Sequence, residues 1–124
     1  MTELSCIVFM TVPSEVSLLE NASSVGSAMP HTYVRVVDGN FTLPPGCPGE
    51  LLVSGYLLFT GYYQNPKKTA EALVSDAQGR MWLRTGDLVT IDDRGMCTII
   101  GRVKDMIKRG NTMSLVRIER DLQI

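Results

Sequence analysis

Between residues 33 and 100, turn-forming residues cut the chain into strand-like runs of four to seven residues. Runs that short suit strands, because a buried helix needs roughly 10–12 residues to lay down a stripe. Tyr33–Val37 alternates, is β-branched, and closes on the turn Asp38-Gly39-Asn40. A rigid loop from Pro44 to Gly49 leads into a second strand, Glu50–Ser54, and Leu57–Tyr63 continues in extended form. Met81–Arg84, Leu88–Ile91 and Met96–Ile100 complete the series, with Asp92-Asp93-Arg94-Gly95 as a hairpin turn. One stretch changes period. Asn65 can cap a helix whose first position is Pro66, running to about Val74 with Ala70, Leu73 and Val74 on one side. The spacing therefore predicts a mainly β, antiparallel unit with one short helix. Residues 1–30 read as loop and turn, and Asp76–Gly79 as a turn. A second helix capped by Ser114 would carry Leu115, Ile118 and Leu122, but Arg117 in its first turn opposes the helix dipole.

Composition narrows the function classes. With 44% hydrophobic and 20% charged residues, the 124-residue chain is globular rather than disordered. A formal net charge of -1 argues against a nucleic-acid binder, which carries a basic excess on one face. The apolar run Cys6–Met10 is too short to span a bilayer, and Glu3 rather than a basic segment precedes it, so neither a membrane span nor a signal peptide is expected. Cys6, Cys47 and Cys97 stand far apart without a CxxC pair, so zinc has no support and free thiols are expected. The expected setting is the cytoplasm or another reducing intracellular compartment.

Few residues suggest chemistry by themselves. Asp87 follows Thr85-Gly86, where a glycine bend can turn a carboxylate outward to accept two hydrogen bonds from a vicinal diol such as ribose. It can equally be a turn aspartate bonded to its own backbone. Arg102, after Gly101 at a strand end, can contact phosphate or ribose oxygens, or simply pair with Asp105. Lys104, Lys108 and Arg109 form a basic cluster whose ordinary role is a solvated face. Asp92 and Asp93 are adjacent and point apart, which makes a poor acid/base pair. His31 is the only histidine and reads as a loop residue. No G-x-x-x-x-G-K-[ST] phosphate loop is present.

The order of several segments adds more than any of them alone. The chain opens "MTE" and continues with "SVGSAMPH", "GELLVSGYLLFTGYYQNPKKTAEAL", "WLRTGDL", "IDDRG" and "IIGRVKDMIKRG". This series resembles the acyl-CoA synthetase branch of the AMP-forming, adenylate-forming enzymes. The resemblance implies a distorted antiparallel β-barrel subdomain, with residues 1–101 as part of an AMP-binding domain and 102–124 as a hinge with a C-terminal stub. It implies that Asp87 holds the ribose hydroxyls of ATP and of the acyl-adenylate. Arg102 would contact the same nucleotide, Thr2 its phosphate, and Glu3 the Mg²⁺ ion, while Lys104 would sit at the hinge. The implied reaction joins a carboxylic or fatty acid to ATP, giving acyl-adenylate and pyrophosphate, and then passes the acyl group to coenzyme A.

Departures from the family pattern are equally specific. The family's Ser/Thr/Gly-rich phosphate loop, most of its acyl pocket and its C-terminal catalytic lysine lie outside these residues. The segment "RGNTMSLVRIE" has Leu115 where the family has proline and Arg117 where it has glutamate. Met1 coincides with a motif methionine that is internal in relatives, as if translation or the gene model started there. The expectation is a piece of an acyl-activating ligase, inactive alone. The alternative is a non-catalytic nucleotide-binding module, or a β module that complements a protein partner through an exposed face.

Overall fold

The computed structural model describes residues 1–5, 7–11, 23–109 and 112–115. Most of them form one antiparallel sheet. Its strands are β1 (Phe9–Met10), β2 (Ser24–Ala28), β3 (Thr32–Asp38), β4 (Phe41–Thr42), β5 (Gly49–Gly55), β6 (Leu73–Ser75), β7 (Met81–Ile91) and β8 (Cys97–Arg102). They lie in the order β1-β2-β8-β7-β5-β3-β4, with β6 added on β7. A separate hairpin pairs β9 (Met106–Arg109) with β10 (Thr112–Leu115). The helix α1 spans Pro66–Ala72. No helix of the described residues is long and apolar enough to cross a membrane.

Both faces of the central strands are covered, so β5 is buried at nearly every position from Gly49 to Ser54 rather than at alternate ones. Leu51 and Val53 join Val36, Leu83, Val89 and Cys97 on one face, under Leu4 of the N-terminal turn. Leu52 packs with Val37 and Trp82 on the other, flanked by Val74. This second face is finished by cations stacked on rings. The Arg35 guanidinium lies 4.1 Å from the Trp82 ring centre, and that of Arg80 3.9 Å from Tyr33.

The antiparallel, one-helix prediction agrees with the structure, but five particulars differ. First, the sheet is not closed into a barrel: it runs from β1 at one edge to β4 at the other, each two residues long. Second, α1 stops at Ala72 instead of about Val74. None of its residues is buried, so nothing rewards another turn, whereas Leu73 and Val74 gain ladder partners in Leu83 and Trp82. Ala70, placed on an apolar stripe by the sequence, is exposed. The start of α1 is as expected: Asn65 Oδ1 accepts the Lys68 N–H at 3.1 Å, with Pro66 at the first position. Third, Thr85-Gly86-Asp87 lies inside β7 rather than ahead of a strand. Fourth, Ser24–Ala28 is a strand, where loop was expected. Gly26 there, at φ +94°, sits so close to β1 that a Cβ would meet the Met10 carbonyl oxygen at 2.1 Å. Fifth, Ser114 and Leu115 belong to β10 instead of starting a helix; Arg117, Ile118 and Leu122 lie outside the described residues, as do Cys6 and residues 12–22 of the expected N-terminal loop.

Candidate nucleotide-binding site

β7 carries two more residues than β5 between matching rungs: Glu50 faces Leu88 while Leu52 faces Arg84. The excess is taken up by Thr85-Gly86-Asp87 opposite Leu51. Gly86 adopts φ +71°, a left-handed conformation that only glycine enters without strain. The bulge is held by one buried hydroxyl. Thr85 Oγ1 donates to the Leu51 carbonyl at 2.8 Å and accepts the Asp87 N–H at 3.1 Å. Asp87 is thus bonded locally, as a turn aspartate would be, but through its backbone. Its carboxylate remains free to point elsewhere.

That carboxylate meets Arg102. The two residues face each other across β7 and β8, and Arg102 Nε lies 3.0 Å from Asp87 Oδ1. Asp105 is therefore not the partner of Arg102. The guanidinium also reaches the Thr85 carbonyl through Nη1 at 3.5 Å, a long contact. The Asp87 side chain is 23% exposed and that of Arg102 54%, so the pair stands at a rim rather than in the core. Below Asp87 lies a cleft of about 300 Å³, lined by Leu4, Leu51, Val53, Thr85 and Cys97 among others. Burial, and secondarily the Asp87 charge, pushes the Cys97 thiol up to about 11, which makes it an inert wall and not a nucleophile.

Thr2 and Glu3 occupy a single 3-10 turn, Thr2–Leu4, anchored by buried Leu4. Met1 reaches the Asp87 cleft, but neither Thr2 nor Glu3 lines it. The turn is pinned to the segment before α1. Ser5 Oγ donates to the Leu57 carbonyl at 3.1 Å, and the Phe59 N–H donates to the Glu3 carbonyl at 2.9 Å. The Tyr62 hydroxyl donates to Glu3 Oε1 at 3.0 Å. Thr2 is exposed. Lys104 is exposed in a 3-10 turn, Val103–Asp105, directly after β8. Asp92 spends its carboxylate on its own hairpin turn, and His31 is an exposed turn residue at φ +61°.

Whether Glu3 suits a magnesium ion can be judged from its donors. Such an ion takes one or two carboxylates and completes its shell with water and phosphate oxygens. Glu3 brings one carboxylate, whose Oε2 makes no hydrogen bond among the described residues, and that fits so small a share. Among those residues no group of three or more His, Cys, Asp or Glu side chains forms a protein-built cage.

Two contributors were not singled out from sequence. Thr85 sets the bulge, and a hydroxyl two residues before an aspartate is a weak signal for such a bond. Tyr62 meets Glu3 from 59 positions away, and nothing local announces that.

A mainly antiparallel sheet with a carboxylate–guanidinium pair on neighbouring strands defines the class: a β-sheet subdomain with a polar rim over an apolar cleft. Residues 1–63 match the AMP-binding enzyme family, and the chain belongs to that family. The acyl-CoA ligase sidI of Aspergillus fumigatus is 42% identical over 111 residues, covering 89% of this chain and 19% of that protein. The mitochondrial medium-chain acyl-CoA ligase ACSF2 of Rattus norvegicus is 43% identical over 112 residues, covering 88% and 17%. Among solved structures, a long-chain-fatty-acid-CoA ligase, FadD1 of Archaeoglobus fulgidus, superposes with TM-score 0.74 at 30% identity, covering 85% of this chain and 21% of that one. The chain thus spans about a fifth of the length of the relatives it matches.

Proposed function

We propose that these residues form the ribose-holding part of an acyl-activating ligase. In the reaction a carboxylate oxygen attacks the α-phosphorus of ATP, forming acyl-adenylate and releasing pyrophosphate. The sulfur of coenzyme A then attacks the acyl carbon, forming the thioester and releasing AMP. The Asp87 carboxylate accepts hydrogen bonds from the two ribose hydroxyls. Arg102 fixes that carboxylate and reaches the same nucleotide. Thr2 contacts a phosphate and Glu3 holds the cation, which when bound neutralises charge on the phosphate oxygens. Residues 1–101 make up the nucleotide-binding part, and 102–124 begin a hinge at Lys104. The similarity to acyl-CoA ligases supports a carboxylic or fatty acid as substrate.

One observation carries this reading. Asp87 lines the rim of a largely apolar cleft and is fixed on two sides, by the Thr85 bulge and by Arg102. The test is nucleotide discrimination by the protein at its native length, read as ATP–pyrophosphate exchange. Wild type should prefer ATP to 2′,3′-dideoxy-ATP by about 100-fold, as expected when a carboxylate loses hydrogen bonds from two hydroxyls. Asp87→Ala should lose that preference, and a variant that keeps it would overturn the assignment. The 124 residues by themselves should show only background exchange, because loss of even one preorganised catalytic group costs about 10²–10³ in rate. Robust exchange by the isolated chain would sink that part.

A further inference from the structure

We propose that Tyr62 is a positioning residue for Glu3, holding its carboxylate in the one orientation that leaves Oε2 to the cation. This rests on the reading of Glu3 as the magnesium-binding carboxylate given above. Three observations lead to it.

The Tyr62 hydroxyl donates to Glu3 Oε1 at 3.0 Å, which engages one carboxylate oxygen, while Oε2 makes no hydrogen bond among the described residues. The ring of Tyr62 is itself held: it meets Phe59 edge to face, with centres 4.9 Å apart and planes at 76°. Its backbone is fixed from the other side, because the Tyr62 N–H donates to Thr69 Oγ1 at 2.9 Å. That hydroxyl in turn donates to the Asn65 carbonyl at 2.9 Å, the capping position of α1. Gly61 makes the approach possible. At φ +148°, a Cβ there would lie 2.8 Å from the Thr69 methyl. A continuous bonded path therefore runs from α1 through Thr69 and Tyr62 to Glu3.

The Phe59 N–H to Glu3 carbonyl bond closes the same loop through the backbone. The N-terminal turn and the pre-helix segment are thus held together at Glu3 by both main chain and side chain. A partly exposed carboxylate without such a partner samples many rotamers, and ordering them costs affinity each time a cation binds. Tyr62 removes part of that cost in advance.

The protein at native length supplies the test, read as Mg²⁺-dependent ATP binding beside metal-free AMP binding. Glu3→Gln should raise the Mg²⁺ concentration needed for half-maximal ATP binding. Tyr62→Phe, which keeps the ring against Phe59, should raise the Mg²⁺ concentration needed for half-maximal ATP binding by about tenfold. Its affinity for AMP without metal should not change.

Unchanged Mg²⁺ dependence in Tyr62→Phe would overturn the positioning role while leaving Glu3 as a ligand. Unchanged Mg²⁺ dependence in Glu3→Gln would overturn the reading of Glu3 itself and the proposal with it. A general loss of AMP affinity in Tyr62→Phe would mean that the residue is merely structural, which also overturns it.

Discussion

Asp92 shows how a single carboxylate can be committed to structure. Its Oδ1 accepts the Arg94 N–H at 3.0 Å and the Met96 N–H at 2.9 Å, closing the turn between β7 and β8. The Met96 bond, with smaller help from Arg94 and against some desolvation, lowers the carboxyl below its usual range. A depressed carboxylate contributes stability that is complete above the unfolded-state value, about 3.9, and lost as pH falls through the lower folded value. Asp92→Asn retains an acceptor but cannot titrate. Its urea midpoint should therefore drop less between pH 5 and pH 2 than that of wild type; an equal drop would exclude this linkage. The same commitment explains why Asp92 and Asp93 make no acid/base pair, as their adjacency in sequence already suggested.

At the scale of elements, the bulge in β7 is what places the candidate site. Thr85 is 5% exposed and its hydroxyl satisfies both the Leu51 carbonyl and the Asp87 N–H. Thr85→Val keeps the shape and removes both bonds. It should destabilise the protein by about 1–3 kcal/mol, the cost of leaving buried backbone groups unpaired. It should also weaken ATP binding, because Asp87 loses its aim, while Thr85→Ser should retain both properties. Calorimetric unfolding and nucleotide titration together check this, and a Val variant with wild-type ATP affinity would detach the bulge from binding. The helix illustrates the opposite balance. Its N-terminus was legible because Asn65-Pro66 acts within one turn. Its C-terminus was not, because Leu73 and Val74 leave the helical period to pair with Leu83 and Trp82 on β7, across the turn that follows them.

For the molecule as a whole, stability lies in the two-faced centre of the sheet. Leu83 is 1% exposed, between β5 and β6 and beneath the Leu4 turn. Leu83→Ala should cost about 2–5 kcal/mol, the range for a buried leucine whose surroundings collapse only partly. Urea unfolding followed by the fluorescence of Trp82 measures it. Cys97 offers a second probe, since its thiol stays protonated at pH 8 and is fully enclosed. Alkylation of Cys97 should wait for unfolding and quicken in Leu83→Ala, while half-buried Cys47 should react in both proteins alike. Fast labelling of native Cys97 would contradict the packing.

Strands at 33–37, 50–54 and 96–100, the turns between them and the start of α1 could be read from local order, because backbone propensity and short-range capping act within a few residues. The series of motifs carried the family. Open rather than closed strand order, the continuation of β7 through Thr-Gly-Asp, and the pairing of Ser24–Ala28 depend on which distant strands find one another. Asp87 meets Arg102, and Glu3 meets Tyr62, only because the register of β7 on β8 and the anchoring of Leu4 bring them together. Side chains separated by 15 or 59 positions have no means of finding each other before the sheet is built.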